Sequence, residues 1–157
     1  PFPLIPNGPY TGVTAVENFK YPIFSTLIRR IDAIPIERKN KSAAISSIKK
    51  AEEVLKRGIH IGIFPEGTRT INGKIRPLKK GGFHMAINTN TLIVPVGVSG
   101  AYKFKPKDRW WLWPGPVTIN IGAPINSDDY NKLGVTGLLI KAEHLLKRLS
   151  GEINEDK

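Results

Sequence analysis

Apolar positions along this chain recur in two rhythms, a helical spacing of about 3.6 residues and short continuous runs, and the two alternate from end to end. TGVTAVE (11–17) has the small and branched residues of a short strand. NFKYPIFSTLIRRI (18–31) carries a helical apolar stripe, and Pro22 is expected in its first turn, where a missing N–H costs nothing. AIPIE (33–37) reads as a brief strand, which Pro35 assigns to an edge or irregular position. The clearest helix is SAAISSIKKAEEVLKR (42–57), with Ser42 as its cap and Gly58 at its end. Ile45, Ile48, Glu52 and Leu55 keep helical spacing there, and Ala44, Ala51 and Val54 widen the stripe that Glu52 interrupts. IHIGIF (59–64) then reads as a buried strand.

The second half repeats the rhythm. GGFHMAINTN (81–90) predicts a short helix, TLIVPVGVS (91–99) a strand and VTINIGAPI (117–125) another. SDDYNKLGVTGLLIKAEHLLKRLS (127–150) opens with a cap and two acids, suited to the positive end of a helix dipole, and Leu138, Ala142, Leu145 and Leu149 share one face. The expected fold is α/β: one domain over 1–150, a mostly parallel or mixed sheet flanked by helices, and a polar tail over 151–157. PFPLIPNGPY, with four prolines in ten residues and no Met, reads as a loop entered from something upstream, so an N-terminal portion is expected to be missing.

Composition narrows the partners more than the fold. A chain of 157 residues with 40% hydrophobic and 24% charged content can bury a core. It has no cysteine, which removes disulfides and thiolate chemistry, and no ligand cluster that suggests a metal site. No run approaches the roughly 18 apolar residues of a membrane span. Net charge is +11, which calls for an anionic partner: nucleic acid, a phosphorylated small molecule or an acidic membrane surface.

The charge gathers around IFPEGTRTINGK (63–74). Arg69, Lys74, Arg76, Lys79 and Lys80 follow one carboxylate, Glu66, just beyond a predicted strand end. Ligands of α/β folds collect at such carboxyl ends. Gly67 permits close backbone approach, Arg69 presents a fork to two phosphate oxygens, and Lys79 and Lys80 precede a helix start at Gly81-Gly82 that also favours anions. Glu66 would then hold the Arg69 fork or accept from a ligand hydroxyl. The alternative is a surface Glu66–Arg69 ion pair worth under about 1 kcal/mol.

FPEGTR (64–69) resembles the signature of the lysophospholipid and glycerol-phosphate acyltransferase family, the 1-acyl-glycerol-3-phosphate acyltransferase type. Other blocks agree in order: IDAIPIERKN (31–40), whose arginine matches Arg38, then GIFPEGTR (62–69), LKKGGFHMAI (78–87) and LIVPVGVSG (92–100) around Pro95. VTINIGAPI is similar to the family's last strand, so the resemblance covers about residues 11–125, and ordered blocks are more specific than one hexapeptide. It implies transfer of a fatty acyl group from acyl-CoA or acyl-carrier protein to the free hydroxyl of 1-acyl-glycerol-3-phosphate in phospholipid synthesis, with no metal or tightly bound cofactor. It implies Arg38, Glu66, Gly67, Thr68 and Arg69 as ligands of the acceptor's glycerol phosphate, and Lys79 and Lys80 join them on charge. It also implies a membrane-associated enzyme at the cytoplasmic face.

One departure stands out. The family pairs a catalytic histidine with an aspartate five positions later, the histidine acting as base on the acceptor hydroxyl. Here the residues five beyond His60, His84 and His144 are Pro65, Thr89 and Leu149. The block is expected upstream of Pro1, and this chain alone is expected to be inactive; the alternatives are a non-catalytic lipid-phosphate module and a basic nucleic-acid binder. His60 and His84 read as structural, with His84 also near the lysines, and His144 as a surface residue. In YKFKPKDRWWLWPGP (102–116), Lys103, Lys105, Lys107 and Arg109 precede Trp110, Trp111 and Trp113. That mixture suits a membrane interface with acidic lipids, a tryptophan plug in the core, or a single-stranded nucleic-acid groove; beside the lipid-enzyme blocks, the interface is favoured and nucleic acid is not expected.

Overall fold

The computed structural model describes residues 7–37 and 40–153, and not the side chains of residues 41 and 127. Along the chain run β1 (Tyr10–Ala15), a 3-10 segment (Val16–Lys20), α1 (Pro22–Arg30), β2 (Ile34–Ile36), α2 (Lys41–Lys56) and β3 (His60–Gly62). Then come α3 (Gly81–Thr89), β4 (Val96–Ser99), α4 (Ala101–Phe104), β5 (Thr118–Ile121) and α5 (Ser127–Leu149). Parallel and antiparallel pairing both occur, in separate sheets, with helices beside them, so the α/β class expected from the alternating pattern is the one that forms. Contacts gather into two compact units, residues 1–64 with 81–91, and residues 65–80 with 92–157.

The first unit is built on a parallel sheet in the order β2-β1-β3. The two halves of β1 serve different neighbours: Tyr10, Thr11 and Gly12 pair with His60, Ile61 and Gly62, while Val13, Thr14 and Ala15 pair with Ile34, Pro35 and Ile36. Pro35 thus sits on an edge strand, where its lack of an N–H is harmless. Pro22 takes the first position of α1, as its fixed φ favours. Ile34, Ala51 and Met85 form the buried centre, with Val13, Ile48, Val54, Leu55 and Ile61 packed around them. Glu52, the interruption in the α2 stripe, accepts from Asn88 Nδ2 at 2.8 Å and so links α2 to α3.

Three expectations change here. Asn40, not Ser42, caps α2, because its Oδ1 reaches the Ala43 N–H at 3.1 Å. The strand IHIGIF is not buried: β3 lies at a sheet edge, its residues are half-buried or exposed, and Phe64 is 80% exposed. The apolar stripe of α1 faces outward, with only Ile28 buried and Ile23 exposed to 90%.

The second unit pairs β4 with β5 antiparallel, Val96 opposite Ile121 and Ser99 opposite Thr118. The predicted strand at 91–99 is shorter because Pro95 cannot donate to a ladder; Ile93 still bridges Ile125 on its far side. Ile125, Tyr130, Leu138 and Ala142 are buried. Asn126 caps α5 in place of the expected Ser127, accepting from the Asp129 N–H. The 127–150 helix is not straight. Gly134 adopts φ 58°, ψ −175°, outside helical values, and divides α5 into two segments.

An ion pair records how sharply the chain turns. Lys141 Nζ lies 2.7 Å from Asp129 Oδ1 although twelve residues separate them, and an unbroken helix would hold them about 18 Å apart. The Lys141 hydrogen bond is the main cause of an Asp129 carboxyl below the usual aspartate value, against the upward push of desolvation. A depressed folded pKa stabilises above the unfolded value of about 3.9, and that contribution disappears as pH falls through the folded value. Urea midpoints of the wild type should therefore drop below about pH 4. Lys141→Gln should lower the midpoint at neutral pH and flatten this step; an identical acid profile in the variant would remove the pair from the stability of α5.

Candidate functional site

Residues 65–80 form a compact loop of the Ω type, with its ends held together. Pro65 stops the preceding run, and its C=O accepts the Lys79 N–H at 2.8 Å to close the neck. Just inside, Glu66 Oε2 accepts the Arg76 N–H at 2.8 Å. Gly67 takes φ +71°, a left-handed value that a side chain strains against, and a Cβ there would touch the Lys79 stem at 3.7 Å. The sequence therefore writes a turn (Pro65, Gly67) and a clamp (Glu66) into three successive residues.

Neither sequence-level role for Glu66 as a partner of Arg69 describes the geometry. Its carboxylate makes no ion pair with Arg69 among the described residues; it holds the loop by a backbone N–H ten positions away. Arg69, Lys74, Lys79 and Lys80 are exposed, Arg76 is half-buried, and none of the five forms an ion pair among the described residues. Thr68 is exposed beside Arg69. The loop thus brings Glu66, Gly67, Thr68, Arg69, Lys79 and Lys80 into one positively charged segment with one internal carboxylate. Lys80 is followed directly by Gly81, the first residue of α3. Arg38 lies outside the described residues.

The segment after β4 is organised by its cations. Arg109 donates from Nη2 to the carbonyls of Lys103 (2.7 Å) and Phe104 (3.0 Å), and from Nε to that of Trp111 (3.2 Å). Lys105 Nζ donates to the carbonyls of Pro106 and Arg109. These two side chains are consumed inside the loop and do not face outward as expected. Lys103 and Lys107 remain exposed. Wound around the two cations, the chain presents Trp110, Trp111 and Trp113 at 85%, 48% and 63% exposure, which excludes the core-plug reading. Trp110 meets Trp111 edge-on, with ring centroids 5.7 Å apart.

The histidines keep modest roles: His60 lies against Tyr10 at 4.9 Å between ring centroids, and His84 and His144 are exposed. Sequence reasoning missed the face formed by Tyr21, Ile23, Phe24 and Leu27, which lines a groove of about 570 Å³ on α1. Its signal was present: the stripe is flanked by Lys20, Arg29 and Arg30, the pattern of a basic amphipathic helix. Among the described residues, no helix is long and apolar enough to cross a membrane.

Comparison with known proteins matches residues 5–99 to the Acyltransferase family model. The 1-acyl-sn-glycerol-3-phosphate acyltransferase of Cocos nucifera is 38% identical over 82% of this chain and 42% of its own length. That of Pseudomonas aeruginosa is 27% identical over 93% of this chain and 57% of its length. The chain thus spans about half the length of the curated relatives it matches. The crystal structure of the 1-acyl-sn-glycerophosphate acyltransferase PlsC from Thermotoga maritima superimposes with a TM-score of 0.78 at 27% identity, covering 96% of this chain and 59% of that one.

The clamp makes a direct prediction. Glu66→Ala leaves the Arg76 N–H without its partner and should cost about 1.5–3 kcal/mol, as loss of a hydrogen bond to a charged group does. Amide exchange at Arg76 and Lys79 should accelerate, and Glu66→Gln, which keeps an acceptor oxygen, should restore most of the protection. Unchanged exchange in the alanine variant would show that the neck closes without Glu66.

Proposed function

The chain belongs to the acyltransferase family, and from that premise we propose that its 65–80 loop binds the phosphate of a 1-acyl-glycerol-3-phosphate during acyl transfer to the acceptor's free hydroxyl. One observation carries this reading: five cations stand on a loop whose backbone is already closed, with no ion pair among the described residues to compete for them. Arg69 presents a planar fork to two phosphate oxygens, and Lys79 and Lys80 add mobile point charges. Arg38 is assigned to the same phosphate by its place in the family block. The names of the relatives support the acceptor class.

In the reaction, the hydroxyl oxygen attacks the thioester carbonyl of acyl-CoA or an acylated carrier protein. A C–O bond forms, the C–S bond breaks, the hydroxyl proton passes to a base, and the thiol leaves protonated. No histidine of this sequence has an acid five positions on, so the residues present supply binding and positioning. Glu66 Oε2 is engaged by the Arg76 N–H, a role in the loop's own backbone.

A lipid acceptor implies work at a bilayer, and the braced tryptophan segment supports that reading. Indoles seat at headgroup depth, and Lys103 and Lys107 meet acidic lipid at roughly 1 kcal/mol each.

Two measurements test these assignments. Arg69→Ala should weaken lysophosphatidate binding about ten- to a hundredfold, with Arg69→Lys only partly restoring it because it lacks the fork. Unaltered affinity would take Arg69 out of the site. Separately, vesicle binding should require anionic lipid, weaken with salt, and fall when Trp110, Trp111 and Trp113 become serine. A triple variant that stays folded and binds vesicles as before would assign the contact to another surface.

A further inference from the structure

Glu66 and Lys79 account for the neck of the loop but not for its tip. Residues 70–74 form a turn around Asn72, whose Oδ1 accepts from the Thr70 hydroxyl and the Lys74 N–H, each at 3.1 Å. Among the described residues, two hydrogen bonds tie this region to the rest of its unit. The Tyr102 hydroxyl donates to the Ile71 carbonyl at 2.9 Å, and the Ile75 N–H donates to Glu152 Oε2 at 2.8 Å. The Tyr102 ring also packs flush on the turn: a Cβ at Gly73 would come within 3.0 Å of its Cδ1.

We infer that Tyr102 is a positioning residue of the anion-binding loop, fixing its tip from α4 and so setting the affinity for the acceptor's phosphate without touching it. This rests on the proposed phosphate role of the loop. Five like charges within residues 69–80 repel one another, so an unbraced tip would spread. An incoming phosphate would then have to gather the cations and order the backbone at its own expense. Tyr102 does that ordering in advance, by a hydroxyl donor and by a ring that only glycine lets so close. It also reaches the tip from beside the tryptophan segment, since α4 is continuous with residues 105–113.

The test measures binding of a short-chain lysophosphatidate to the 157-residue chain by calorimetry, with amide exchange and thermal unfolding of the same samples. Tyr102→Phe keeps the ring and loses the donor; it should weaken binding about threefold and speed exchange at loop amides, with Tm unchanged. Tyr102→Ala should weaken binding about tenfold or more, since the packing on Gly73 goes as well. A merely structural tyrosine would move Tm and affinity together. Wild-type affinity in folded Tyr102→Phe and Tyr102→Ala proteins would overturn the inference, and if the alanine variant does not fold, the phenylalanine variant decides. A wild-type chain that binds no lysophosphatidate would refute the phosphate reading itself, and the positioning role with it.

Discussion

One hydrogen bond, from the Arg76 N–H to the Glu66 carboxylate, sets the conditions for everything proposed of this site. A surface loop that carries five cations is under internal pressure: in water two unit charges 4 Å apart repel by about 1 kcal/mol, and more where protein displaces solvent. Closing such a loop with apolar contacts alone would leave the charges free to drive it open. A carboxylate at the neck does both jobs, supplying an acceptor for an otherwise idle amide and placing one negative charge where the strands of the loop converge. In this geometry the acid at the head of a basic segment acts as a fastener.

The site also depends on how sequence order and packing diverge. Residues 65–80 lie between β3 and α3 in the chain, both of which belong to the first unit, yet their contacts are with residues 92–157. The pinning groups come from α4 and from the residues just beyond α5. The loop that follows Phe64 is thus held in place by side chains far from it in sequence.

What could be read in the sequence follows from the range of the forces involved. Pro22 at the start of α1, Pro35 on an edge and the core face of α2 were legible because each expresses a local constraint: a fixed φ, a missing donor, a 3.6-residue period. Caps failed by one or two positions, since Asn40 and Asn126 compete with the serines that follow and only loop geometry decides which oxygen reaches the first N–H groups. The loop was legible as a cationic segment, but its internal wiring was not: Glu66 to Arg76, Tyr102 to Ile71 and Glu152 to Ile75 span 10, 31 and 77 residues. Periodicity cannot report contacts of that range. Nor could it say that the α1 stripe looks outward, because burial depends on what a face meets.

That outward face bears on how the molecule behaves in bulk solution. Ile23, Leu27 and neighbouring Tyr21 and Phe24 offer a contiguous apolar surface, and a net charge of +11 opposes the approach of a second copy to it. The repulsion works only as far as counter-ions allow, about 30 Å at 0.01 M salt and 8 Å at physiological strength. By this argument low ionic strength favours the dispersed chain and added salt favours association through the α1 face. Storage buffers rich in sulfate or phosphate would remove the charge barrier and strengthen apolar association at once.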